Sequence, residues 1–351
     1  MRNLIILPNS NLGGAELILK NLSFHLDQNL AYTFDVIFLL NGRNDGRNDG
    51  WSDCNFKNFK LYYLFDLSMI DFLRLLRTLF KVKYHYIFTT HTLITGLVGV
   101  LVYFKILKKD YFVGRESTNV FKRFKGIKLL KYKIHYHLGY RQLDLLICQT
   151  NKMKSELLLN FPWLAEKCIV ILNPIDTKKA KQLSEFHLLT DLNQPYIVAA
   201  GRLIELKGFD MLIEAFSIIK EDFPVLNLII LGTGPERINL RSLIDKYKLN
   251  SSVFLMGFVE NVYPYFKNAT ICVVSSKIEG FPNVLLQMMS VNSNVVSTNC
   301  AGGICEINGL TLVKDISVNG LAQGLLRRLN SKVRINDNMF KEVLKQEIKT
   351  F

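Results

Sequence analysis

Short apolar runs alternate with longer stretches of helical periodicity along almost the whole chain. That order is the signature of βαβ units, in which buried parallel strands read as continuous apolar runs and the crossover helices as amphipathic ones. In the first half the runs predict strands over Asn3–Leu7, Phe34–Leu40, Tyr86–Thr90, Tyr111–Gly114, Leu145–Cys148 and Cys168–Leu172. Helices are predicted over Ala15–Asn29, Met69–Phe80, Leu93–Leu107, Ile127–Arg141 and Lys152–Asn160. A second series predicts strands over Tyr196–Ala200, Leu226–Leu231, Val253–Leu255, Ile271–Val274 and Asn294–Ser297. Its helices are predicted over Phe209–Phe223, Glu236–Tyr247, Val262–Lys267, Asn283–Val291 and Ser317–Leu329.

Between the two series, Asn173-Pro174-Ile175-Asp176 closes the first, and a polar, Lys-rich segment to about Asn193 reads as linker. The expected fold is α/β: two doubly wound Rossmann-like domains, residues 1–175 and 194–330, facing across a cleft. Residues 176–193 join them. A last helix within 331–351, roughly Asp337–Phe351, has no strand after it and is expected to pack back across that cleft.

Composition agrees with two packed cores. The chain has 351 residues, 49% hydrophobic and 21% charged, which excludes a disordered protein. Its net charge of +14 favours a polyanionic partner: nucleic acid, an anionic membrane surface or phosphorylated substrates. The six cysteines form no Cys-x-x-Cys pair and mostly sit in apolar runs, so they read as reduced, buried thiols. The apolar run in MRNLIILPNS is too short for a signal peptide. The uncharged stretch from Tyr86 to Phe104 is broken by Thr89, Thr90, His91, Thr92 and Thr95, which suits a strand and a buried helix better than a membrane span. The repeated Arg-Asn-Asp-Gly of residues 43–50 is turn chemistry.

Four segments fall just after strands, where ligands of such sheets bind. Asn11-Leu12-Gly13-Gly14-Ala15-Glu16 offers glycines and a helix start for a phosphate, and serves equally well as a plain turn. It lacks the dinucleotide pattern Gly-x-Gly-x-x-Gly. Gly201-Arg202 through Lys207-Gly208 places two cations five residues apart on a loop entering a helix, where they can clamp neighbouring phosphates. In Ser275 through Met289, Glu279 can accept hydrogen bonds from sugar hydroxyls, and the amides of the helix begun by Pro282 and Asn283 can bind a donor. Gln287 follows Glu279 by eight residues, close to two helical turns, so both are expected to face one pocket. Asn299 through Ile307 is a further glycine loop.

These segments together resemble the family-4 retaining glycosyltransferases of the GT-B fold. GRLIELKGFDMLIEAF, LGTGPE, GFVENV, SSKIEGFPNVLLQMM and GGICEI occur in the family's order and spacing, and the likeness extends to Gly13-Gly14-Ala15-Glu16 and Asn173-Pro174-Ile175-Asp176. The resemblance implies that Arg202 and Lys207 bind the diphosphate of a nucleotide-sugar donor, UDP-sugar favoured, and that Gly13 and Gly14 approach it. It implies that Glu279 holds the sugar's hydroxyls and that Phe258 and Val259 place the base through backbone groups. Phe281, Asn283, Val284 and Gln287 complete the donor set. His91 matches a family position near the donor sugar, and a neutral histidine ending a strand fits the same residue. The family's Glu-x7-Glu here ends in Gln287, which retains an acceptor oxygen but no charge.

The implied mechanism retains stereochemistry. Arg202, Lys207 and helix amides stabilise the departing diphosphate, which itself takes the acceptor's proton. Neither metal nor cofactor is expected. From Lys105 to Lys133 the chain carries ten Lys/Arg, two acids and interspersed aromatics, a segment that reads as helical and interfacial or as an ordinary solvated face. The expected setting is therefore cytoplasmic, peripheral to an anionic membrane, with a glycan or lipid-linked acceptor and no nucleic acid. A nucleotide-sugar epimerase or hydrolase, or a non-catalytic partner subunit, is the alternative reading.

Overall fold

The computed structural model describes residues 1–10, 14–27, 32–40, 51, 58–118, 120–187 and 194–331. The chain forms two compact units, Met1–Asn173 and Pro174–Phe351.

In the first unit the strands are β1 (Arg2–Leu7), β2 (Thr33–Phe38), β3 (Phe59–Tyr63), β4 (Lys83–Thr89), β5 (Lys108–Arg115), β6 (Leu145–Cys148) and β7 (Cys168–Val170). They make one parallel sheet in the order β3-β2-β1-β4-β5-β6-β7. The helices are α1 (Gly14–Asp27), α2 (Met69–Lys81), α3 (Thr92–Tyr103), α4 (Val120–Arg123), α5 (Gly126–Gly139) and α6 (Asn151–Asn160). Successive strand residues point to opposite faces, so Leu4 and Ile6 enter one core, with Ile87 and Phe112, while Ile5 and Leu7 enter another, with Phe34, Val36 and Trp51. A sheet buried on both faces needs strands without polar alternation, which is why the apolar runs were continuous.

The helix α3 crosses α5 almost backbone to backbone. A Cβ on Gly99 would lie 2.0 Å from the carbonyl oxygen of Gly139, so any side chain there would force the helices apart. The uncharged stretch from Tyr86 to Phe104 is thus β4 followed by a largely buried helix. Among the described residues no helix is long and apolar enough to cross a membrane.

The second unit opens with α7 (Thr177–Ser184) and continues with strands β8 (Tyr196–Ala200), β9 (Asn227–Leu231), β10 (Val253–Gly257), β11 (Ile271–Val274), β12 (Val295–Thr298) and β13 (Leu310–Val313). Their parallel sheet has the order β10-β9-β8-β11-β12-β13. Around it run α8 (Phe209–Lys220), α9 (Arg237–Lys246), α10 (Tyr263–Asn268), α11 (Asn283–Met289) and α12 (Val318–Asn330). Again the faces alternate: Ile197 and Ala199 pack with α8 and α12, while Tyr196 and Val198 pack with α10 and α11.

Several local expectations need correction. The polar segment read as linker contains α7, whose first turn is capped by Asp176 accepting from the Lys179 amide at 2.9 Å. Asn261 donates to Leu183 O at 2.8 Å and holds it in the second unit. The helix expected to run through Leu107 stops at Tyr103, because Lys105 turns left-handed at φ 58° and β5 begins at Lys108. Cys148, Cys168, Cys272 and Cys300 are buried, but Cys305 is exposed. The repeat at 43–50, Gly13, Cys54 and the expected C-terminal helix beyond Ser331 lie outside the described residues.

Candidate functional site

Each sheet reverses strand order once, and that is where a crevice opens at the carboxyl ends of parallel strands. In the second unit the reversal lies between β8 and β11. The loops leaving those strands are 201–208 and 275–282, which carry Arg202, Lys207 and Glu279.

Three hydrogen bonds lash these loops and the one after β12 together. Ser275 Oγ donates to Lys207 O at 2.9 Å, Lys277 N to Leu206 O at 2.8 Å, and Glu279 N to Cys300 O at 2.9 Å. Thr298 Oγ1 adds a bond to Ser276 O at 2.6 Å. The turn from Glu205 to Lys207 ends on Gly208 at φ 61°, where a Cβ would lie 2.3 Å from Ser275 O. Only glycine allows that closeness, and the closeness brings the two charged loops together.

Lys207 Nζ and Glu279 Oε1 form an ion pair, and Ser276 Oγ donates to the same carboxylate oxygen at 2.8 Å. Their side chains are 22% and 17% exposed, so the pair is half-sunk yet within reach of a ligand. Arg202 is exposed and has no acidic partner among the described residues. Burial pushes the nearby Cys300 thiol up to about 12, and the Glu279 charge acts in the same direction, so this thiol stays protonated and inert.

The other predicted donor residues divide. Phe258, beyond β10, is 60% exposed, and Val259 packs partly against the core. Phe281 is buried in the core, so only its backbone is available to a ligand. Asn283 and Val284 form the first turn of α11 and are half-buried. Because α11 begins at Asn283, the two-turn spacing does not relate Glu279 to Gln287: Glu279 sits in the loop with Lys207, and Gln287 shares a hydrogen bond with Tyr263.

In the first unit the reversal lies between β1 and β4. Gly14 starts α1 after β1, and His91 follows β4 as the residue capping α3, without a side-chain cap bond. Glu16, nearly buried on α1, reaches across the reversal to place Oε1 3.3 Å from His91 Nε2. Burial holds His91 below the ordinary histidine range, opposed by Glu16 and reinforced by Arg115. The ring is therefore neutral at pH 7.

Arg115 and Glu116 are what sequence reasoning missed. Arg115 was counted in an interfacial basic segment, yet it ends the buried strand β5, where it donates to Asn173 Oδ1 and, weakly, to Thr90 Oγ1 at 3.5 Å. Burial lowers its pKa to about 10. Glu116 is buried beside it and accepts from Tyr140 Oη at 2.6 Å and Thr92 Oγ1 at 3.2 Å. Burial still raises its pKa. The segment 105–133 thus contains the buried end of β5, Phe112 to Arg115, and the buried Val120 of α4. Lys105, Lys108, Asp110 and Tyr111 before the buried stretch, and most of α5 after it, face solvent. No local spacing could have revealed this, because the partners come from residues 90, 92, 140 and 173. Among the described residues no group of His, Cys, Asp and Glu is placed to hold a metal ion.

Two parallel Rossmann-like sheets with these loops at their reversal points define the fold of the GT-B glycosyltransferases. The crystal structure of Anabaena HepE in complex with UDP superimposes with a TM-score of 0.74 at 15% identity, covering 100% of both chains. Residues 181–341 match the family model for glycosyl transferases group 1. An uncharacterized glycosyltransferase of Methanocaldococcus jannaschii is 31% identical over 210 residues, 58% of this chain and 52% of that protein. The N-acetylgalactosamine-N,N'-diacetylbacillosaminyl-diphospho-undecaprenol 4-alpha-N-acetylgalactosaminyltransferase of Campylobacter jejuni is 30% identical over 217 residues, 61% of this chain and 56% of that protein. The chain thus matches about half the length of these relatives.

Proposed function

We propose that the protein is a retaining, metal-independent glycosyltransferase that moves a sugar from a nucleotide-diphosphate donor, a UDP-sugar by preference, to a glycan or lipid-linked acceptor in cell-surface polysaccharide synthesis. The observation that carries this reading is the joining of Lys207 and Glu279 at the sheet's reversal point, with the exposed Arg202 on the same loop as Lys207. Cations suited to a diphosphate and a carboxylate suited to sugar hydroxyls stand side by side, as a nucleotide sugar requires. The base is read as lying over Phe258 and Val259, with Asn283, Val284 and the backbone of Phe281 nearby.

In this reading Arg202 and Lys207 offset the charge that develops on the leaving diphosphate, which receives the acceptor's proton as the new glycosidic bond forms on the same face. The donor preference draws support from the UDP in the Anabaena structure, and the acceptor from the diphospho-undecaprenol in the Campylobacter protein's name.

The protein is read as cytoplasmic and peripheral to the membrane. The helix α5, which begins inside segment 105–133, is the part suited to that contact: Ile127, Leu130, Ile134 and Leu138 are exposed along one face, with the exposed Lys128 and Lys131 beside them. Replacing Lys125, Lys128 and Lys131 by Gln should remove about 3 kcal/mol of attraction to anionic liposomes. Salt-insensitive binding that ignores these changes would contradict the membrane reading. Transfer itself is tested by incubating purified protein with radiolabelled UDP-sugars and sugar-diphospho-undecaprenol acceptors. Labelled product that needs both components supports the proposal. Donor binding without turnover, restored by a second subunit, would favour the non-catalytic reading that Gln287 raises.

A further inference from the structure

Lys207 and Glu279 are assigned to different parts of the donor, yet in the free protein they are bound to each other. Among the described residues the lysine's ammonium has one acidic partner, and the carboxylate oxygen that it meets also accepts from Ser276. A diphosphate that approaches Lys207 must therefore compete with Glu279 or draw the lysine away from it. Drawing it away leaves a half-sunk carboxylate short of a partner, and such a group is costly in a poorly hydrated place. A sugar attached to the diphosphate brings hydroxyl donors to the same spot and removes that cost. A bare nucleoside diphosphate brings none.

We infer that the Lys207–Glu279 pair is a latch that discriminates donor from product: it opens for a diphosphate carrying a sugar and closes again on the lysine once the sugar has left. The inference rests on the proposed donor site, and it gives Glu279 a second role as a specificity-determining competitor for Lys207. Release of the diphosphate is favoured because the carboxylate reclaims its partner. The backbone bonds from Ser275 to Lys207 and from Glu279 to Cys300 hold the two loops in place while the side chains exchange partners.

The sign of the expected effect separates a latch from a simple contact. Glu279→Gln keeps the shape and the bond from Ser276 but releases the lysine, so UDP should bind about tenfold more tightly than to the parent, by calorimetric titration. The double variant with Lys207→Ala should bind UDP no better than Lys207→Ala alone, because the carboxylate acts only through the lysine. Weaker or unchanged UDP binding by Glu279→Gln overturns the latch. A second measurement needs no nucleotide: labelling of Lys207 by an amine-reactive reagent, read by mass spectrometry, should be faster in Glu279→Gln than in the parent. Equal labelling rates also overturn it. If the parent binds none of UDP, GDP or ADP while labelling is faster in Glu279→Gln, the ion pair stands and the donor assignment fails instead.

Discussion

The carboxyl ends of the two sheets carry similar charges in opposite states. In the first unit Arg115 and Glu116 are buried and surrounded by fixed partners: Asn173, Thr90, Tyr140 and Thr92. In the second, Lys207 and Glu279 are only partly buried and hold each other, while Arg202 holds no acid among the described residues. A charge whose partners are all internal can change them only by unfolding something, so it acts as scaffold. A charge paired with one neighbour at the surface can exchange it for a ligand. Composition does not distinguish the two, but burial does.

The comparison breaks if a change in the first cluster alters activity and spares stability. Glu116→Ala removes an acceptor from buried hydroxyls and uncovers Arg115, and is expected to cost about 3 kcal/mol or more in urea unfolding. Glu279→Ala should do the reverse. Transfer falls about a hundredfold or more, while the unfolding midpoint stays near that of the parent, because the pair it breaks is only partly buried. A folded Glu279→Ala protein with parental turnover would remove Glu279 from the site. The smallest expected effect is at Gln287, where Glu would restore the family carboxylate beside Tyr263. Donor affinity should stay the same or rise by up to about tenfold, from a charge-assisted bond in place of a neutral one. A severe loss of binding and turnover would mean that the pocket is built around the amide.

The two regions also differ in how they could be read from the chain. The second unit's site is local: two loops of eight residues each, 201–208 and 275–282, hold Arg202, Lys207 and Glu279. The first unit's cluster gathers residues 16, 90–92, 115–116, 140 and 173, so only the assembled sheet reveals it. The missed strands obey the same logic. β3 and β13 are edge strands, mostly half-buried, and Lys60 in one and Thr311 in the other interrupt their short apolar runs. Lys108 and Lys109 read as helix flank, yet they pair with Lys83 and Tyr84 as the opening of β5. Central strands announced themselves, because both of their faces are covered.

The central claim, that the loops after β8 and β11 form a nucleotide-diphosphate site, is tested most directly by calorimetric titration of UDP into the parent, Arg202→Ala and Lys207→Ala proteins. The expected result is one site in the parent, with affinity lowered about tenfold or more by each change, as for loss of a charge-assisted phosphate contact. Equal affinity in all three proteins would place the diphosphate elsewhere and contradict the assignment.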